Sequence, residues 1–194
     1  MKLSLDLVVD SSKEWIDAVM DDFDSFLQDH ANCERKASSM AMSFVAKYPD
    51  RIEIIPELID TAIEELEHFQ SVYKIMEARN VQLPQKMEQD MYVQQLIDCC
   101  RSGRDDRFLD RLLLASIIEC RGAERFRLVY EALPTGELKG FYQQLWASEA
   151  KHGNIFVKMA MNYFDKEEIY NRLNELNEEE GRVLRSLPIK AALH

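Results

Sequence analysis

The sequence predicts an all-α protein: a four-helix bundle built from two helix hairpins, with additional short and C-terminal helices. Three observations carry this. Apolar residues make up 46 % of the 194 positions, and only 6 Gly and 5 Pro interrupt them. Leu, Ala, Glu, Met, Lys and Arg, all favourable in helices, recur throughout. Nearly every apolar stretch repeats at steps of three and four rather than alternating. The length suits a single domain, residues 1–194, with a substantial core.

Taken in order, Ser11-x-x-Glu14 reads as a capping box. From there a helical pattern runs to Tyr48, with a break near Asp21. Its seam is Phe23, Leu27, His30, Glu34, Ala37, Ala41, Phe44 and Tyr48. Pro49 ends it, because a residue before proline is pushed out of the helical region. A second helix is expected over 52–79, with Pro56 in its tolerant first turn. Its seam is Leu58, Ala62, Glu65, Phe69, Val72 and Met76. A connector follows with Pro84, a short helix over 88–101 and Ser102-Gly103. The third long helix begins after Gly103 and stops at Leu133-Pro134, with seam Leu109, Leu112, Ser116, Glu119, Ala123, Phe126 and Tyr130. A fourth is expected over 135–165, with seam Tyr142, Leu145, Glu149, His152, Phe156 and Met159. A more polar fifth covers 166–186 and leads to a Pro188 tail. The long connector between helices two and three suits two hairpins joined by a crossover.

The net charge of −11 argues against indiscriminate nucleic-acid binding, although 24 Lys and Arg leave room for a local basic face. Cys33, Cys99, Cys100 and Cys120 have no CxxC spacing, so neither a zinc knuckle nor a rubredoxin-like site is indicated. They read as reduced thiols of a cytoplasmic protein. No apolar run of about 18 residues offers a membrane span, and the N-terminus lacks a secretion signal's apolar stretch.

Two Glu-x-x-His pairs stand out, Glu65 with His68 and Glu149 with His152. Each shares a frame with a proline and an earlier glutamate. Glu34 lies 15 residues before Pro49 and Glu65 lies 16 after it; Glu119 lies 15 before Pro134 and Glu149 lies 15 after it. One hairpin is thus written twice. All four glutamates occupy seam positions that packing would give to Leu. A bare carboxylate there costs several kcal/mol, so it is paired, protonated or metal-bound. Three residues turn a helix by about 300°, so each Glu and its His project onto one face. Four carboxylates balance two divalent ions. Mixed carboxylate and imidazole donors suit iron or manganese better than a closed zinc site.

In a chain so rich in Glu the two pairs alone are a weak signal; the matched prolines and seam positions strengthen them. Glu124 competes with Glu119, but it lies about 140° around the helix and breaks the proline spacing. Glu64 and Glu124 are candidate partners behind the ligands, and His30, one turn before Glu34, reads as a hydrogen-bonded pocket residue. Met and aromatic residues at seam spacing are mostly core, with Phe69, Phe126 and Phe156 as candidate walls of a substrate pocket. His194 is terminal and carries no signal.

The order Glu, Glu-x-x-His, Glu, Glu-x-x-His resembles that of the ferritin-like non-haem di-iron superfamily. Within it the chain resembles the bacterial tRNA hydroxylases that act on 2-methylthio-isopentenyl-adenosine beside the anticodon, the MiaE family. The resemblance is carried by the segments from Asp29 to Ala37, Glu64 to Phe69, Glu119 to Phe126 and Ser148 to His152. It implies a cytoplasmic monooxygenase that uses O₂ and two electrons, from a partner reductase, to hydroxylate the isopentenyl group. It implies that Glu34, Glu65 and His68 hold one iron and Glu119, Glu149 and His152 the other. Candidate tRNA contacts are Arg101, Arg104, Arg107, Arg111, Arg182, Arg185 and Lys190, each also readable as part of a solvated helix face. A monomer or small oligomer is expected. The alternatives are a ferritin-type iron oxidase or store and a di-metal peroxidase or catalase. Absent CxxC pairs count against a rubrerythrin-like peroxidase.

Overall fold

The computed structural model describes residues 2–86 and 89–194. Among them all regular structure is helical: α1 (Lys13–Asp21), α2 (Phe23–Lys47), α3 (Ile55–Ala78), α4 (Met91–Asp98), α5 (Arg104–Ala132), α6 (Glu137–Ala160) and α7 (Lys166–Ser186). The chain divides into two compact units. One comprises Asp17–Glu88 and Lys190–Leu193 and contains the α2–α3 hairpin. The other comprises Met1–Ile16, Gln89–Ile189 and His194 and contains the α5–α6 hairpin with α4 and α7.

In the first unit, Asp22 separates α1 from α2. Its carboxylate accepts the backbone N–H of Ser25 at 3.1 Å, which starts α2 afresh. The helix closes where the Tyr48 N–H reaches the Phe44 carbonyl at 2.8 Å, one residue before Pro49. Pro56 occupies the first turn of α3, where no N–H is required. The far end of α3 is a Schellman cap. Asn80 takes φ 59°, its N–H reaches Glu77 at 3.1 Å, and the Val81 N–H reaches Met76 at 2.9 Å. Asparagine tolerates this left-handed turn better than most residues. Across the hairpin the Ser38 hydroxyl donates to the Ala62 carbonyl at 2.8 Å, and Leu27, Phe44, Leu58, Val72 and Met76 are buried.

In the second unit, Gly103 at φ 101° turns the chain into α5. That helix is apolar on more than one face, and Phe108, Leu109, Leu112, Leu113, Leu114 and Ile117 are all buried. It is therefore the central helix of its unit, with α6 and α7 packed on it. The expected boundaries hold for α5 and α7. The fourth predicted helix ends early, at Ala160. The short helix predicted over 88–101 is confined to Met91–Asp98, N-capped by Asp90 accepting from Val93 at 3.0 Å; its expected start at Glu88 lies outside the described residues. The capping box also shifts by one position. Ser12, not Ser11, accepts the Trp15 N–H at 3.3 Å, because both polar groups of Ser11 are occupied by Glu124. Among the described residues no helix is long and apolar enough to cross a membrane.

Candidate metal centre

In the α2–α3 unit the seam carries Glu34 and Glu65 into the interior, 3 % and 1 % exposed. His68 follows Glu65 by three residues. Its Nδ1 lies 3.5 Å from a Glu65 oxygen and 3.7 Å from Glu34 Oε2. Fully buried His30 is hydrogen-bonded through Nε2 to Glu34 Oε1 at 2.6 Å. The α5–α6 unit repeats the pattern. Glu119, Glu149 and His152 are all buried, and His152 Nδ1 lies 3.4 Å from Glu149 and 3.9 Å from Glu119.

These separations exceed ordinary hydrogen-bond lengths. They approach what two donors on one ion require: with bonds of about 2.1 Å, neighbouring ligand atoms sit about 3.0 to 3.4 Å apart. Each unit thus offers two carboxylates and one imidazole, buried, with no thiolate among them. Oxygen and nitrogen donors of this kind fit a divalent iron or manganese ion. Close helix packing supports the second set. Ser116 donates to the Gly153 carbonyl at 2.7 Å, and a Cβ at Gly153 would meet Cys120 Sγ at 2.8 Å and Ser116 O at 3.4 Å. Glycine beside His152 is what lets α5 and α6 approach this closely.

The other residues expected near a site have varied places. Glu64 is half-buried on α3 beside Glu65. Glu124 is turned toward Ser11, accepting its N–H at 3.0 Å and its hydroxyl at 2.7 Å, and toward Arg121 at 3.0 Å. Phe126 and Phe156 are buried, whereas Phe69 is half-buried and stacks with Tyr73. A cavity of about 540 Å³ in the second unit has other walls, among them Cys120, Ala123, Trp146, Ala150 and Asn154. The guanidinium of Arg101 is tied to Asp106 and Asp110. Arg104, Arg107 and Arg185 are exposed, as is Lys190, and Arg111 is half-buried. Arg182 is exposed and pairs with Glu179. The four cysteines are free thiols, and burial pushes the thiols of Cys99, Cys100 and Cys120 up, away from the reactive thiolate.

Two buried charge clusters had no place in the sequence reading. In one, Arg121 donates to both oxygens of Glu180 at 2.8 and 3.0 Å, the Tyr92 hydroxyl donates to Glu180 at 2.9 Å, and Arg121 also reaches the Val9 carbonyl at 2.7 Å. Burial, and then the Arg121 guanidinium, pull neighbouring Arg125 down to about 10; its charged group lies 4.6 Å from the Trp15 ring centre. In the other, Asp110 receives Arg101 and Arg172, each through more than one N–H. These clusters fasten the N-terminal segment, α4 and α7 to α5. They explain why charged residues crowd the 119–126 stretch without all serving a metal. Mid-helix Asp110, set among Leu109, Leu112 and Leu113, was the visible signal.

The model of the family described as tRNA-(MS[2]IO[6]A)-hydroxylase (MiaE) matches residues 4–194. The tRNA 2-(methylsulfanyl)-N(6)-isopentenyladenosine(37) hydroxylase of Pseudomonas putida is 36 % identical over 155 residues, covering 80 % of this chain and 75 % of that protein. The Salmonella typhimurium protein of the same name is 28 % identical over 134 residues, 69 % of this chain and 48 % of that one. Among solved structures, a Synechococcus protein described as having aldehyde deformylating oxygenase activity matches with a TM-score of 0.92 and 30 % identity, covering 98 % of this chain and 96 % of that one. The expected all-α, ferritin-like class is therefore shown. With its family's model matched along almost its whole length, the chain belongs to the tRNA-(MS[2]IO[6]A)-hydroxylase family.

Proposed function

We propose that this chain is a non-haem di-iron monooxygenase that hydroxylates the isopentenyl group of 2-methylthio-isopentenyl-adenosine beside the anticodon of tRNA. One observation carries the reading: the doubled, buried set of Glu with Glu-x-x-His occurs in a chain matched by this family over residues 4–194. In this reading Glu34, Glu65 and His68 hold one iron and Glu119, Glu149 and His152 the second. The oxygen and nitrogen donors favour iron, with manganese second. A bound iron pair supplies the redox chemistry of O₂ that C–H oxygenation requires. The balance is substrate C–H plus O₂, two electrons and two protons, giving the alcohol and water; the electrons come from a partner reductase.

The chain's own contribution is placement and exclusion. Burial of the four carboxylates keeps bulk water from them, and Phe126 and Phe156, both buried, are candidate walls of the substrate pocket. His68 is the more solvent-accessible imidazole, its side chain 18 % exposed against 0 % for His152, which favours access from the α3 side. Arg104, Arg107, Arg111, Arg182, Arg185 and Lys190 are candidate phosphate contacts. Arg101, whose guanidinium is held by Asp110 and whose side chain is 35 % exposed, is a further candidate. The reading places the enzyme in the cytoplasm, as a monomer or small oligomer.

The test is mass spectrometry of nucleosides after tRNA bearing the prenylated adenosine meets iron-loaded protein, O₂ and a reductant. A gain of one oxygen on that nucleoside supports the proposal, and no change with a competent reductant rejects it. The solved Synechococcus neighbour favours one second reading, oxygenation of an aldehyde. An aldehyde in a parallel reaction, losing its formyl carbon, would establish that instead.

A further inference from the structure

Helix α3 carries two seams. The buried one holds Leu58, Ala62, Glu65, Val72 and Met76. The other runs through Pro56, Ile59, Ile63, Leu66, Gln70 and Tyr73, and all six positions are exposed. Their steps are three and four throughout, so they form one line along the helix. All but Gln70 are apolar or aromatic, and Ile63 and Leu66 at the centre are 52 % and 55 % exposed. Scattered apolar side chains on a surface are ordinary; a contiguous line of them marks an interaction face.

Size and charge say what kind of partner fits. From Pro56 to Tyr73 the line is about 26 Å long and one helix, about 10 Å, wide. A stable protein pair buries about 800 Å² on each side, so this face is too small for a permanent subunit and suits a transient encounter. Its flank carries Asp60 and Glu67, both exposed; Lys74 follows near the end, donating to Gln70 at 3.5 Å. The two carboxylates repel nucleic-acid phosphates. They also disfavour a second copy. Two antiparallel copies of α3 that set Ile63 of one against Leu66 of the other bring Asp60 near Glu67 twice, like charge against like. A helix with an apolar seam edged by Lys or Arg meets both features of the face.

Resting on the di-iron reading above, we propose that this outer face of α3 receives the electron-donating protein, which presents an amphipathic helix with basic flanks. That reading needs a partner that binds, gives up two electrons and leaves. The donor is oxidised by two electrons per turnover, and with two protons O₂ is reduced to the alcohol oxygen and one water. Helix α3 is also the one that carries Glu65 and His68. A donor docked along its outer face therefore lies about one helix diameter, about 10 Å, from those side chains.

The experiment compares two electron sources for tRNA hydroxylation by iron-loaded protein. One is anaerobic reduction with dithionite followed by O₂ in a single turnover. The other is NADPH with a soluble extract of the source organism depleted of this protein. Wild type is set beside a seam variant, Ile63→Glu with Leu66→Glu, and a flank variant, Asp60→Lys with Glu67→Lys. After dithionite all three should hydroxylate equally within about two-fold, and their tRNA affinities by filter binding should match. With the extract, both variants should run at least about 10-fold slower than wild type, and the wild-type rate should fall as salt is raised. Metal-free wild type in excess should compete for the donor and slow that rate, whereas the metal-free seam variant should not. Equal extract-driven rates, wild-type turnover only after dithionite, weaker tRNA binding by the seam variant, or a wild-type dimer in sedimentation that the seam variant abolishes would overturn the inference and leave the di-iron reading intact. No hydroxylation by wild type after dithionite would remove that reading and this inference together. Should the seam variant misfold by circular dichroism, the flank variant decides.

Discussion

Replacing Glu180 with alanine probes the buried ion cluster built on Arg121. Glu180 and Arg121 are both 0 % exposed. Glu180 accepts from Arg121 Nε at 2.8 Å, Arg121 Nη2 at 3.0 Å and the Tyr92 hydroxyl at 2.9 Å. Three bonds to a charged group, at about 1.5–3 kcal/mol each, would together rival the whole stability of a typical domain. The full sum is not realised. Arg121 keeps Glu124 at 3.0 Å and the Val9 carbonyl at 2.7 Å, and the vacated space admits water. The expected cost is that of stranding one partner of a buried pair, about 3–5 kcal/mol. For a chain of this size each kcal/mol moves the melting temperature by about 2–4 °C, so Glu180→Ala should melt about 6–20 °C below wild type. Tyr92→Phe, which removes one donor and leaves the ion pair, should cost about 1–2 kcal/mol. Glu179→Ala is the control: it breaks only the pair with Arg182, whose side chains are 38 % and 63 % exposed, and should cost at most about 1 kcal/mol. Calorimetry on metal-free protein at low concentration reads all three without ligand stabilisation. A Glu180→Ala shift no larger than that of Glu179→Ala would refute the view that this cluster is a buried, tightly coupled element of the fold.

Three further outcomes are expected. Glu65→Ala and Glu149→Ala should each lower bound iron measured by elemental analysis, with helical circular dichroism retained; full loading of either variant contradicts the ligand assignment. Gly153→Ala should cost about 1–3 kcal/mol in urea unfolding, because its new methyl meets Cys120 Sγ at 2.8 Å and Ser116 O at 3.4 Å. Adding Cys120→Ala should return part of that, and additive losses would place the strain elsewhere. For Asp110, burial pushes the carboxyl up, but hydrogen bonds from Arg172 and Arg101 outweigh it and hold the folded pKa below its ordinary value. A depressed carboxyl pKa contributes stability above the unfolded value, about 4, and loses it as pH falls through the folded one. The stability gap between wild type and Asp110→Asn should therefore be full at neutral pH and close below about pH 4, and a gap that widens in acid would contradict the sign.

What the sequence determined by itself was local. Pro49, Pro56, Gly103 and Pro134 punctuate the helices through fixed φ, absent N–H groups or permitted positive φ, properties of single residues. Apolar residues at steps of three and four marked the faces that became buried, and against them Glu34, Glu65, Glu119 and Glu149 stood out as charges where Leu belonged. The His30–Glu34 contact was also within reach, since four residues is one helical turn. Tertiary structure decided how the remaining charges are used. Ser11 caps no helix because Glu124, 113 residues away, takes its polar groups. Arg121 meets Glu180 across 59 residues, and Arg172 meets Asp110 across 62. Arg101, read as a surface cation, is bound to Asp110 for the same reason. Helical periodicity reports which face a side chain occupies, but a buried charge is stabilised by whatever partner the packed chain brings to that face. Such partners lie many turns away, where no spacing rule connects them.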